Sequence, residues 1–248
     1  MCTLSWLPEP DGYTLWHNRD ERRSRPPAES PAAVRRGELA ALTPRDPEGG
    51  GTWIGVNELG LTLGIANLYP PEGVAVAGMP PPGLVSRGRI VDDLLAATDP
   101  ADAARRLGGM DLGVFAPFTL AVLGPQTLPE LHRWDGERLA SSTVEGAGLL
   151  LTSSGAGRRV EELRREVYER HAPGPLPAAE LIEALHRSEL PELGPDSFCM
   201  HREEAGTVSL TRVEVRGDVA RMIYTPGAPC RTRPLPPLAL GRLGADVG

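Results

Sequence analysis

Residues 1–22 read MCTLSWLPEPDGYTLWHNRDER. Two runs, CTLSWL and YTLWH, alternate apolar and polar residues on either side of the segment PEPDG. Such alternation predicts two strands, and the proline, aspartate and glycine between them predict a tight turn. We therefore expect an antiparallel hairpin whose turn is centred on Pro10 and Asp11. This register brings position 2 close to positions 18–20 of the second strand.

Strand and helix signals continue along the chain. TWIGV and LTLGIAN, joined by NELG, predict a second hairpin after a surface excursion over 22–51 that holds one short strand near 39–43. Helical spacing predicts helices within 84–98, from Asp99–Pro100 with Asp99 as N-cap, over 158–171 and over 178–188. Further strands are predicted from FTLAVLG, LHRWDG, GLLLTSS, SFCMHR, GTVSLTRVEV and VARMIYT.

This order of elements predicts an α+β fold with antiparallel pairing. The two helix pairs could cover the outer faces of two stacked sheets or one face of a single sheet. A length of 248 residues suits one domain over 1–248, with a proline-rich tail over 226–248 expected on the surface.

Composition and charge exclude several functional classes. The net charge of −7 argues against non-specific nucleic-acid binding, which needs a basic field. No run of 18 apolar residues is present, so we expect no membrane span. Glu9, Pro10 and Asp11 interrupt what would be the apolar core of a signal peptide. The expected location is the cytoplasm.

The three cysteines are Cys2, Cys199 and Cys230. An odd number without close spacing does not indicate a disulfide framework. Neither CxxC nor HExxH occurs, so we expect no metal site. Cys199 and His201 share a face of the predicted strand SFCMHR, but such residues are more often packed and inert than catalytic.

Cys2 is the first candidate for chemistry. Removal of Met1 would join its thiol and a free α-amine on one residue, which then carries its own general base. Asn18 and Asp20 face one side of the second strand, where Asp20 can hold the ammonium form of that amine and Asn18 can assist. Arg19 points to the opposite face. The structural alternatives are a small buried cysteine at position 2 and a solvated, charged strand end at 17–21.

The combination of Met-Cys and HNRDE at 17–21 resembles the NRDE family, also called the transport and Golgi organisation family. A wider resemblance is to the N-terminal-nucleophile (Ntn) acylases that cleave conjugated bile salts and penicillin V. These enzymes begin with Cys2 and carry Arg-Asn-x-Asp on the next strand, which Asn18 and Asp20 match. His17 stands where the arginine would be, and Arg158 and Arg159 do not clearly replace it. Both resemblances imply a four-layer αββα sandwich of two antiparallel sheets between helices.

The acylase resemblance also implies an oxyanion hole. GVNELGLTLGIANLYP, at 55–70, is similar to an acylase stretch whose second asparagine helps to form that hole, and this asparagine corresponds to Asn67. The segment NELG is also explained as a good turn, whereas Asn67 at the strand end is not. LLLTSSG places Ser153 where acylases have an asparagine. The resemblance thus assigns Asn67 and Ser153 to the oxyanion.

Four further residues are candidates for substrate binding. His17 and Arg19 flank Asn18, and Thr207 and Ser209 are expected, with Thr211, to alternate along one face of a strand. Such hydroxyls either line a cleft or lie on a solvated face.

The leading hypothesis is an Ntn-type cysteine hydrolase or acyltransferase acting on a non-peptide amide, ester or thioester, without a cofactor. The alternative is a non-catalytic carrier of haem, acyl-CoA or lipid, because the family has been linked to haem trafficking. Haem would then be ligated by His17, His201 or Cys2. A third option is an inactive acylase scaffold.

Overall fold

The computed structural model describes residues 2–68, 83–151 and 158–244, which form two antiparallel sheets and four α-helices. Sheet A runs, in spatial order, through Gly148–Leu151 (β10), Thr3–Glu9 (β1), Gly12–Arg22 (β2), Ala205–Arg216 (β11), Val219–Pro226 (β12) and Leu238–Gly241 (β13). Sheet B runs through Glu29–Arg36 (β3), Leu39–Arg45 (β4), Ile54–Asn57 (β5), Thr62–Asn67 (β6), Phe118–Leu123 (β7), Glu130–Trp134 (β8) and Leu139–Thr143 (β9).

The helices cover the outer faces of the two sheets. They are Gly88–Leu94 (α1), Pro100–Gly108 (α2), Arg158–His171 (α3) and Ala179–His186 (α4). Helix α1 packs on β5 and β6 and α2 on β7, whereas α3 packs on β10 and α4 on β1 and β2. Strand β1 also meets β6, and β12 meets β5, across the space between the sheets. The expected four-layer αββα sandwich is confirmed, and the helix pairs lie on opposite faces.

Two contacts align the sheets face to face. Near the β1–β2 turn, the Tyr13 hydroxyl donates to the Gly60 carbonyl at 2.7 Å. At the other end of β2, the Arg19 guanidinium lies 4.3 Å from the centre of the Trp53 ring. Arg19 lies beside the amino end of β1, and the Trp53 carbonyl accepts the Ile65 N–H at 2.9 Å near the end of β6. The amino end of β1 and the last residues of β6 therefore share one end of the sandwich.

The first hairpin forms as expected. Strand β1 ends at Glu9 and β2 begins at Gly12, which leaves Pro10 and Asp11 as the turn. Leu4 is fully buried between the sheets, where a Cβ on Gly64 would lie 2.8 Å from its Cδ2. The glycine therefore permits the close approach of β1 to β6.

Several local predictions need correction. The excursion over 22–51 contains two strands, β3 and β4, instead of one. The sequence does not indicate β3, because this edge strand is mostly exposed and lacks a clear alternation of apolar and polar residues. Strand β9 was not predicted, and the tail contributes β13, which pairs with β12. The predicted strand SFCMHR is not a strand: one isolated bridge joins His201 to Gly206, and the segment is otherwise held by loop hydrogen bonds.

The helices follow their local signals. Asp99 caps α2, since its Oδ1 accepts the Asp102 N–H at 2.8 Å, and Pro100 occupies the first turn. The longest helix in the described ranges, α3, has 14 residues. None of the described helices is long and apolar enough to cross a membrane.

Candidate active site

Cys2 lies beside the carboxyl-terminal half of β2. Thr3 pairs with Asn18, so the same register places Cys2 opposite Arg19, next to Asp20. The backbone N–H of Asp20 donates a hydrogen bond to the Cys2 sulfur. Burial raises the pKa of the Cys2 thiol, the nearby Asp20 charge raises it further, and this N–H bond opposes the rise. The thiol therefore needs a base nearby to become a nucleophile at neutral pH.

Asp20 is a buried carboxylate with one satisfied oxygen. Its Oδ1 accepts the Thr207 hydroxyl at 2.6 Å, and the Thr207 oxygen in turn accepts the Met200 N–H at 2.7 Å. Its Oδ2 has no hydrogen-bond partner within the described ranges and lies 4.0 Å from Nη1 of Arg164. Burial raises the pKa of Asp20, while the positive charge of Arg164 and the hydrogen bond from the Thr207 hydroxyl oppose the rise. This oxygen is suitably placed to accept an ammonium group.

Arg164 is the functional candidate that the sequence analysis missed. It is fully buried, and its Nη1 donates to Thr3 Oγ1 at 2.8 Å while its Nε donates to the Asp196 carbonyl at 3.0 Å. Its Nη2 donates to the Ser197 carbonyl. Burial lowers the pKa of Arg164 and the charge of Asp20 opposes this, but a guanidinium stays protonated in proteins. Arg164 thus supplies a permanent positive charge beside Asp20.

A signal for Arg164 was present in the sequence. Val160, Arg164 and Val167 follow the i, i+4, i+7 spacing of one helix face, and all three are buried. An arginine in the apolar stripe of an amphipathic helix must have a partner in the interior. The sequence shows the stripe but not that the partner is Asp20, which lies on β2.

Asn18 connects β2 to the helical layer. Its amide group donates to the His186 carbonyl at 2.9 Å and to the Phe198 carbonyl at 3.0 Å. The amide is therefore used to hold the end of α4 and the segment before β11 against the sheet. The expected direct assistance to Asp20 is not seen in these hydrogen bonds.

Arg19 and His17 lie on the other face of β2, between the sheets. Arg19 makes an ion pair with Asp46 at 3.1 Å. His17 is fully buried, and its two ring nitrogens have no hydrogen-bond partner in the part of the chain that the structure describes. Burial lowers the pKa of His17 to about 3, so the ring is neutral near pH 7. The proposed contact of Arg19 and His17 with substrate stays a prediction.

The expectation that Thr207, Ser209 and Thr211 share one strand face is wrong. Strand β11 pairs Thr207 with Asp20 but Ser209 with Arg19, because the register shifts between them. This β-bulge adds one residue, and opposed residues of a pair share a face. Thr207 therefore faces the helices, and Ser209 and Thr211 face sheet B. Thr207 already bonds Asp20 and is best described as a positioning residue.

Of the two oxyanion candidates, Asn67 lies within the described residues. Asn67 is the last residue of β6 and is partly buried, opposite Phe118. It lies at the same end of the sandwich as Cys2, three residues beyond the contact of Leu4 with Gly64. Ser153 lies outside the described residues. Both oxyanion roles stay predictions.

Replacing Arg164 tests its part in the fold. Arg164→Ala removes the donors to two buried oxygens and one partly buried oxygen and leaves Asp20 without its positive neighbour, so we expect a loss of about 3–5 kcal/mol in unfolding free energy. Chemical denaturation measures this loss. Arg165→Ala, on the exposed side of the same helix, is the matched control and should change stability by about 0.5 kcal/mol or less. Equal effects of the two substitutions would contradict the assignment.

His17 should make stability depend on pH. Its pKa of about 3 in the folded chain lies below the ordinary value of 6.5, so the unfolded chain binds the extra proton first as the pH falls. Stability therefore decreases as the pH falls from about 6 to 4, by about 1 kcal/mol per pH unit for this group. His17→Leu should reduce the slope by that amount in urea titrations. Parallel curves of unfolding free energy against pH for His17→Leu and the unmodified protein would refute this role of His17.

Comparison with solved structures identifies the fold. The chain superposes on penicillin V acylase from Agrobacterium tumefaciens with a TM-score of 0.56 and 10% identity, covering 91% of this chain and 83% of that chain. An arginine-to-leucine variant of conjugated bile acid hydrolase from Clostridium perfringens gives a TM-score of 0.55 and 11% identity, covering 100% of both chains. The Caenorhabditis elegans ortholog of N-acylethanolamine-hydrolyzing acid amidase gives 0.57 and 10%, covering 86% and 92%. The chain has the Ntn-hydrolase sandwich.

The sequence comparisons identify the family. None of the curated proteins matches the chain. The model of the family described as TANGO2, Transport and Golgi organisation 2, matches residues 1–144, which is more than half of the 248 residues. The chain therefore belongs to the transport and Golgi organisation 2 family.

Proposed function

We propose that the chain is an Ntn-type cysteine hydrolase or acyltransferase that acts on a non-peptide amide, ester or thioester. The observation that carries the proposal is the position of Cys2, whose sulfur accepts the Asp20 N–H beside the buried Asp20 carboxylate. Removal of the residue before Cys2 places a new α-amine within reach of that carboxylate. Nucleophile, base and counter-ion then occupy one corner of sheet A.

The first half of the reaction forms an acyl-enzyme. The α-amine of Cys2 takes the proton of the thiol, and the sulfur attacks the substrate carbonyl carbon to form a C–S bond. The ammonium so formed is held by Asp20, whose Oδ2 accepts it. Asn67 and Ser153 are proposed to donate to the oxyanion. Collapse breaks the bond to the leaving group, which receives the ammonium proton, and a thioester on Cys2 remains.

The second half regenerates the enzyme. The neutral amine takes a proton from water or from an acceptor nucleophile, which attacks the thioester carbon. The C–S bond breaks, and the Cys2 sulfur recovers a proton. Transfer to water makes the chain a hydrolase, and transfer to an amine, alcohol or thiol makes it an acyltransferase.

Asp20 keeps its geometry through two neighbours. The Thr207 hydroxyl fixes Oδ1, and the Arg164 guanidinium balances the charge. With one oxygen occupied and the charge compensated, Oδ2 is left for the amine. These neighbours replace the arginine that the acylases carry three residues before the aspartate, where this chain has His17.

A small acyl compound is the proposed substrate class. The three similar structures are described as a penicillin V acylase, a conjugated bile acid hydrolase and an acid amidase for N-acylethanolamines. Their names refer to penicillin V, to conjugated bile acids and to N-acylethanolamines, which are all small molecules. We therefore propose an acyl amide or thioester of low molecular mass.

Cys2 provides the direct test. We expect the purified chain to begin at Cys2 by intact mass, and to gain the mass of an acyl group when an acyl thioester or acyl anilide is added. Peptide mapping should locate the group on Cys2 rather than on Cys199 or Cys230. Cys2→Ala should abolish both labelling and turnover. Full turnover by Cys2→Ala, or a retained Met1 in the active protein, would refute the mechanism.

Asp20 is tested by a neutral replacement. Asp20→Asn keeps the size of the side chain but cannot balance an ammonium ion, so kcat/KM should fall at least about 100-fold. The fall is measured on the substrate that labels Cys2. Asp218→Asn, exposed in the β11–β12 turn, is the control and should leave kcat/KM unchanged. A loss smaller than about threefold in Asp20→Asn would remove the carboxylate from the mechanism.

A carrier of haem, acyl-CoA or lipid is the alternative. His17 is the candidate ligand that favours it, because both ring nitrogens lack a partner in the described residues. His201, by contrast, contacts Cys230 in a separate cluster. Haem titration distinguishes the two functions: a Soret band that disappears in His17→Leu supports the carrier, and thioester release without such a band supports the enzyme.

A further inference from the structure

Three metal-ligating side chains converge beside sheet A, outside the candidate active site. Cys199 and His201 precede β11, and Cys230 follows β12. Their ligand atoms all lie within 4.8 Å of one another, and the Cys230 sulfur is 3.3 Å from Nε2 of His201. The two cysteines are not joined in a disulfide. We propose that Cys199, His201 and Cys230 form a Zn²⁺ site.

The distances suit tetrahedral zinc. Zinc binds thiolate sulfur at about 2.3 Å and imidazole nitrogen at about 2.0–2.1 Å, which separates neighbouring ligand atoms by about 3.5–3.8 Å. The separation of the Cys230 sulfur from Nε2 of His201 is 3.3 Å and none of the three separations exceeds 4.8 Å, so small side-chain rotations complete the site. Two sulfurs and one imidazole favour zinc over magnesium or calcium, which prefer oxygen ligands.

The backbone holds the three ligands in place without a metal. The Cys199 N–H donates to the Ser188 carbonyl and the His201 N–H to the Gly194 carbonyl, both at 2.9 Å. A turn in which the Ala228 carbonyl accepts two N–H groups encloses Cys230. A preorganised set of ligands loses little conformational entropy on binding.

Glu189 is the proposed fourth ligand. Its Oε1 lies 3.8 Å from Nε2 of His201 and 3.6 Å from the Arg231 guanidinium. Zinc with two thiolates and one carboxylate has a net charge of −1, which Arg231 offsets. Metal binding releases the protons of the two thiols to solvent.

The site would stiffen the segment that positions Asp20. Met200, between the two ligands Cys199 and His201, donates its N–H to Thr207, which bonds Asp20. Zinc therefore connects the turn after β12 to the buried carboxylate through Met200 and Thr207. This inference does not depend on the proposed acyl transfer.

Competitive metal titration tests the site. Reduced, chelator-treated protein is titrated with Zn²⁺ against a chromophoric chelator, and we expect one equivalent to bind. His201→Asn and Cys230→Ser should each weaken binding at least about 100-fold. Cys2→Ser removes a cysteine outside the cluster and should leave zinc affinity unchanged, so zinc binding by this variant separates the site from the proposed catalysis.

A spectroscopic measurement tests the site without relying on variants that could fail to fold. Co²⁺ added to the unmodified protein should give thiolate charge-transfer absorption that Zn²⁺ displaces. Absence of that absorption, equal zinc affinity in His201→Asn, or loss of binding in Cys2→Ser would overturn the proposal. A Cys199–Cys230 disulfide found by mass mapping of the protein as purified would also overturn it, in favour of a redox pair.

Discussion

The buried carboxylate of Asp20 is the constraint on which the site depends. A charge removed from water persists only when donors and opposite charges replace its hydration. For Asp20 these come from Thr207 on β11 and Arg164 on α3, both far from β2 in sequence. Sheet A and its helical cover must therefore assemble before the carboxylate is balanced. The fold and the electrostatics of the site form together.

Strand β2 divides its polar residues between two environments. Asn18 and Asp20 face the helices, whereas His17 and Arg19 face sheet B. The bulge in β11 gives each face its own hydroxyls, with Thr207 on the helical side and Ser209 between the sheets. In a regular strand, residues two apart share a face, so Thr207 and Ser209 would both have pointed to one side and this pair would have supplied a hydroxyl to only one face of β2. One irregularity of the backbone thus determines which side chain supports the carboxylate.

The sandwich is shared with acylases at only 10–11% identity. Such a fold needs alternating apolar residues and close approaches such as that of Leu4 to Gly64, and many sequences provide them. Chemistry requires particular side chains at particular places, so function is decided at the site. In this chain an arginine from α3 stands beside the aspartate. The Cys199, His201 and Cys230 cluster lies one residue away from the same network.

The sequence by itself determined the hairpin, the helix capped by Asp99, the α+β sandwich and the nearness of Cys2 to Asp20. Each of these follows from local periodicity, turn residues, a short-range register or family resemblance. Only the tertiary structure decided the partner of Arg164, the separate faces of Thr207 and Ser209, and the meeting of Cys199 with Cys230. These contacts join segments distant along the chain, and a bulge or a helix docking angle changes them without changing any local pattern. Local interactions leave a readable pattern in the sequence, whereas long-range contacts arise from packing.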